Sequence, residues 1–105
     1  MSQAPEDNFD AAYAAVRAKL DAVRDPRILN LYSTQNHGYG KLYVAATVDY
    51  ECDQETARAV VEVIAAVVRP TWPTRAGGYS WQIDAQSEGL LLACAFGGWL
   101  NHHET

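Results

Sequence analysis

Positive charge is scarce in this chain. Eight Lys and Arg stand against thirteen Asp and Glu in 105 residues, a formal net charge of −5. Neutralising phosphates needs a Lys/Arg surplus, so nucleic acid is not expected as the main ligand. A basic protein partner is compatible with the same balance. Cysteine is scarce too: Cys52 and Cys94 are too few for a disulfide framework. One falls at a strand-to-helix junction and the other in an apolar strand, which predicts buried thiols in a reducing cytoplasm. No apolar run approaches the ~18 residues of a membrane span. Met1 to Asp10 is acidic and lacks the apolar stretch of a secretion signal. The expected location is therefore cytoplasmic, with no membrane partner.

Motifs for catalysis and metal binding are missing as well. The chain has no Gly-x-Gly-x-x-Gly, no Gly-Lys-Ser/Thr, no Cys-x-x-Cys and no His-x-x-x-His. His37, His102, His103, Cys52 and Cys94 show no ligand spacing. Ser33, Ser80 and Ser87 carry no nucleophile elbow. Asp49, Glu51 and Asp53 surround Cys52, and their charge raises a thiol pKa and disfavours the thiolate. That acidic cluster reads as a solvated junction that also caps a helix. No cofactor or metal is implied, and the residues favour a non-enzymatic role.

What remains is ordinary globular material, 49% hydrophobic and 20% charged. The length suits one domain over residues 1–105, with 1–6 and 101–105 as frayed tails. Phe9, Tyr13, Val16, Leu20 and Val23 recur at spacings of four and three, predicting an amphipathic helix that stops before Pro26. Ile28 to Ser33 reads as a strand apolar on both faces, the pattern of a central strand. Leu42 to Tyr50 alternates, with Leu42, Val44, Ala46, Val48 and Tyr50 on the core face and Tyr43 and Thr47 on the other. Asp53 is the expected N-cap of a second helix whose face holds Ala57, Val60, Val61, Ile64, Val67 and Val68. Tyr79 to Ala85 alternates next, and Leu90 to Phe96 reads as a covered inner strand.

The order is α-β-β-α-β-β. Ala11 to Arg24 overlays Thr56 to Arg69 without a gap, matching Ala12 to Ala57, Ala14 to Ala59, Val16 to Val61, Val23 to Val68 and Arg24 to Arg69. This suggests two α-β-β halves. They would form one α+β domain: a four-stranded, mainly antiparallel sheet with two helices packed on one face. The order is also a circular permutation of the ferredoxin-like β-α-β-β-α-β plan. Leu42 to Pro73 is a strand, an acidic cap, a long apolar helix and then Thr-Trp-Pro. It resembles the middle of secretion-chaperone-like bacterial proteins, which are small, acidic, partner-binding α+β domains. The resemblance covers under a third of the chain and carries over no site residue.

Function is sought where the two halves differ. The first hairpin loop carries His37 and Tyr39, with Tyr43 close by. The connection after the second helix carries Trp72 and Arg75. Loop aromatics are enriched at binding surfaces, although Trp72 would serve equally as a lid on the core. The expected function is a small acidic cytoplasmic module that binds a protein partner, as an inhibitor, immunity protein, adaptor or chaperone does. The alternative is a small-molecule binder or enzyme, its pocket lying between sheet and helices or at a dimer interface. A homodimer formed through a sheet edge is compatible with either.

Overall fold

The computed structural model describes residues 5–36, 40–72 and 80–98. Within them run α1 (Pro5–Asp21), β1 (Asn30–Asn36), β2 (Lys41–Thr47), α2 (Gln54–Val68), β3 (Ser80–Ser87) and β4 (Leu90–Gly98). The strands form one sheet in the order β1-β2-β3-β4. β1–β2 and β3–β4 are antiparallel hairpins. β2 and β3 run parallel, because α2 carries the chain back across the sheet between them. The fold is thus α+β, with a mainly antiparallel mixed sheet and both helices on one face.

The strand order adds two facts that the element order leaves open. The ferredoxin-like plan splits its helix-linked strands around a third strand. Here the strands linked by α2 are direct neighbours, so the fold is not a permutation of that plan. The two α-β-β halves are not related by a rotation either. β3 runs opposite to β1, while β3 keeps the same side of β4 that β1 keeps of β2. A rotation that reverses the strands and preserves that order would turn the sheet over and place α2 on the other face. Both helices share one core, so the likeness of the halves is one of element order only.

Local chemistry fixes the elements. Arg24 Nη1 donates to the Asp21 and Val23 carbonyls, at 2.6 and 2.9 Å, closing the C-terminal end of α1. Asp25 then accepts from the Arg27 backbone N–H at 2.9 Å and pairs with its guanidinium, forming the turn around Pro26. Asp53 caps α2 as expected, its Oδ1 accepting from Thr56 N at 2.8 Å. The β3–β4 turn is only Glu88–Gly89, with φ of 51° and 83°. Two positive values in a two-residue loop make the tight hairpin turn whose twist suits its strands.

The core is one cluster under the helices. It contains Val16 and Leu20 of α1, and Leu42, Val44 and Ala46 of β2 with Val48 just beyond. Six residues of α2 join them, with Trp81, Ile83 and Ala85 of β3. Three strand readings change. β1 begins two residues and ends three residues later than predicted, and it sits at an edge, not in the centre. β4 is the opposite edge, with Leu90, Leu91 and Phe96 exposed. β2 ends at Thr47, so Tyr50 lies beyond the strand and is exposed instead of in the core. No helix among the described residues is long and apolar enough to cross a membrane.

Candidate functional site

Helices cover one face of the sheet, and strand alternation places a second set of side chains on the other. Cross-strand register assembles that open face in rows. Thr34, Tyr43, Gln82 and Phe96 form one row, and Tyr32, Ala45, Asp84 and Cys94 the next. Asn30, Thr47, Gln86 and Leu91 form a third. The edges of this face are apolar and exposed: Tyr32 at 54%, Leu91 at 53% and Phe96 at 45%.

Its centre is polar and hydrogen-bonded. Asp84 is only 8% exposed. Tyr43 donates its hydroxyl to Asp84 Oδ2 at 2.8 Å, across the parallel β2–β3 pair. Gln82 Nε2 donates to Asp84 Oδ1 at 3.1 Å, and Lys41 Nζ donates to Gln82 Oε1 at 3.1 Å. A carboxylate so sheltered is tolerable because donors from both neighbours meet it. Burial of the phenol, its bond to Asp84 and the carboxylate charge push the Tyr43 pKa up to about 12. Tyr43 is therefore a neutral, fixed donor at physiological pH. A general acid or base works best with a pKa near the operating pH, and Tyr43 is displaced away from it. The arrangement is a hydrogen-bonded network that fixes these four side chains against one another.

A second concavity lies along the outer side of β1. It is a groove of about 540 Å³, lined by α1 residues Arg17, Leu20 and Asp21, by Val23, Arg24, Asp25 and Ile28 of the following turn and by Leu29 to Ser33. Beside it Tyr13 of α1 reaches Ser33, its hydroxyl 3.3 Å from both the carbonyl and the hydroxyl of that residue.

The sequence-derived site is only partly brought together. Tyr43 stands at the centre of the open face. Trp72 is buried, 2% exposed, and its indole N–H donates to the Ser80 carbonyl at 2.7 Å, so it closes the end of the core next to Trp81. His37, Tyr39 and Arg75 lie outside the described residues. Asp84, Gln82, Tyr32 and Phe96 were missed. Asp84 and Gln82 are simply the polar members of an alternating strand in the sequence; that two strands join in parallel and pair them with Tyr43 is not visible from either strand alone. Cys94 was expected in the core and is exposed on the open face, because β4 is an edge. Cys52 is half-buried and its thiol pKa is raised, first by burial and then by Asp53 and Asp49. Among the described residues, no three His, Cys, Asp or Glu side chains converge as metal ligands.

No family model, no curated protein and no solved structure matches this chain.

Proposed function

We propose that this protein is a small cytoplasmic interaction module that binds a protein partner through the open face of its sheet. One observation carries the reading. Exposed Tyr32, Leu91 and Phe96 surround the sheltered Tyr43–Asp84–Gln82 network on the face that neither helix covers. Aromatic and apolar anchors around fixed polar groups are the composition of an interface core. The net charge of −5 favours a partner of opposite sign. An inhibitor, immunity protein, adaptor or chaperone would each act this way.

The test is comparative. Proteins captured from the native host by the wild-type chain are set against those captured by a Tyr32→Ser, Phe96→Ser double variant. The variant must first show an unchanged circular dichroism spectrum. Loss of a stoichiometric partner, with binding confirmed by calorimetry on the purified pair, supports the reading. An identical set of captured proteins refutes it.

A second reading rests on the groove beside β1. Its volume of about 540 Å³ lies inside the usual range for small-ligand sites. A thermal-shift screen of metabolites, repeated on Arg17→Ala, distinguishes it: a ligand whose shift is lost in that variant would place small-molecule binding in the groove.

A further inference from the structure

The two edges of the sheet are not equivalent. Sheet edges present unpaired backbone groups, and proteins blunt them with charge, proline, bulges or short length. β4 has such a device. Its pairing with β3 shifts register between Ala85 and Gln86, leaving Leu92 as an extra, unpaired residue. A bulge bends and twists the strand that carries it. β1 carries no charge, proline or bulge, and α1 reaches it at one point, where the Tyr13 hydroxyl donates to the Ser33 carbonyl at 3.3 Å and leaves that oxygen a second lone pair. The strand's seven residues, Asn30 to Asn36, contain no Asp, Glu, Lys, Arg or Pro, and they pair with β2 in one unbroken register. On its outer side no strand neighbours it among the described residues.

From this edge we infer that the protein forms a twofold dimer by antiparallel pairing of β1 with β1 of a second copy. A twofold interface sets each residue against its own copy's patch, so any net charge on the patch repels itself. The molecule carries −5, yet β1 is uncharged. The charged groups in the adjoining groove balance, Arg17 and Arg24 against Asp21 and Asp25. This strip therefore suits a second copy better than it suits a partner chosen by charge.

Full overlap of the seven residues fixes the axis at Ser33. Asn30 then faces Asn36 of the copy, Leu31 faces Gln35, and Tyr32 faces Thr34. Every pair joins residues of the same alternation, so open-face side chains meet open-face side chains. Each Tyr32 ring lies over a Thr34 of the other copy, an aromatic and β-branched pair of the kind that stabilises sheets. The product is one eight-stranded sheet with all four helices on one side. Its open face is continuous, and the row Phe96–Gln82–Tyr43–Thr34 of one copy runs on into Tyr32–Ala45–Asp84–Cys94 of the other.

The pairing stands on the edge alone and does not depend on what the open face binds. It is tested by light scattering on size-exclusion fractions at increasing concentration, up to about 1 mM, where even a weak association populates the dimer. The wild type is expected to approach twice the monomer mass. A Tyr32→Lys, Thr34→Lys variant, with its fold verified by circular dichroism, is expected to remain at the monomer mass. Mild oxidation in a Cys52→Ser, Cys94→Ser background then reads the register. Ser33→Cys, on the axis, is expected to crosslink, and Asn30→Cys is not. A wild type that stays monomeric throughout overturns the inference, whether or not an extended segment of another protein adds to β1. A dimer that survives the lysine substitutions overturns it too, and so does crosslinking at Asn30 with none at Ser33.

Discussion

The two faces of the sheet are built from the same strands and solve opposite problems. On the covered face the rows run Leu31–Ala46–Ala85–Ala93 and Ser33–Val44–Ile83–Ala95, then Leu42, Trp81 and Gly97. Side chains shrink to alanine at one end and grow to tryptophan at the other. Apart from Ser33 and Gln35 on β1, burial there is apolar and is stabilised by contact with the helices. On the open face the buried centre is a carboxylate met by a phenol and an amide, and the large apolar groups are pushed to the margins. One face spends its apolar surface on folding. The other leaves Tyr32, Leu91 and Phe96 exposed at its margins, where they contribute little to folding and are available to the interface proposed above.

The largest difference between the faces is expected on truncation. Leu42 is fully buried at the wide end of the covered face. Leu42→Ala should cost about 3 kcal/mol, lowering the melting temperature by roughly 15 °C. Gly97→Ala comes next. A Cβ at Gly97 would run into the Trp81 indole, over whose ring the Arg69 guanidinium also lies, 5.7 Å from the centroid. The indole must shift, at a cost of about 2 kcal/mol. Thermal melts measure both, and a changed tryptophan fluorescence reports the displaced ring. A Gly97→Ala variant as stable as the wild type would mean that this end of the core is loosely packed.

How much of this contrast was legible depended on which force set it. The covered face was readable because burial imposes a period: Leu42, Val44, Ala46 and Val48, and Trp81, Ile83 and Ala85, alternate in the sequence and all enter the core. The cap at Asp53 was readable because a single side chain supplies it. Strand order was not readable, and errors followed from that. Apolar residues on both faces of Ile28–Ser33 and Leu90–Phe96 suggested inner strands, yet β1, which begins only at Asn30, and β4 are the edge strands. A residue pattern reports what a strand touches, and a partner outside the chain would produce the same pattern as a neighbouring strand. The Tyr43–Asp84 contact was hidden for a related reason: it joins residues 41 apart through a parallel register that the loops alone do not specify.

That contact makes an intermediate prediction. Tyr43→Phe leaves Asp84 Oδ2 only a long 3.4 Å approach from Gln82. It should cost about 1 to 2 kcal/mol at neutral pH. Because the folded state raises the Tyr43 pKa from 10.0 to about 12, folding favours the protonated phenol. Its contribution is complete below pH 10 and is lost as the pH rises toward about 12. Melting temperatures across that interval should fall in the wild type and fall less in Tyr43→Phe. Tyrosinate absorbance should show one residue titrating last, absent from the variant. Equal pH dependence in the two proteins would show that folding does not hold the Tyr43 phenol protonated.

The smallest effect on stability is expected at the margin of the open face, and there the comparison is sharpest. Leu91→Ser should change stability by less than about 0.5 kcal/mol, since the side chain is more than half exposed. A thiol probe can then ask whether anything covers the face. Cys94 is exposed in the row beside Asp84, whereas Cys52 is half-buried with a raised pKa. In the isolated protein Cys94 should react with a neutral thiol reagent several times faster than Cys52. Pairing along β1 leaves Cys94, on the far edge strand, as reactive as before. A partner seated on the open face slows Cys94 and leaves Cys52 unchanged. Slow reaction of Cys94 in the isolated protein, at a rate near that of Cys52, would show that the open face is already covered in solution. Recognition would then have to use another surface.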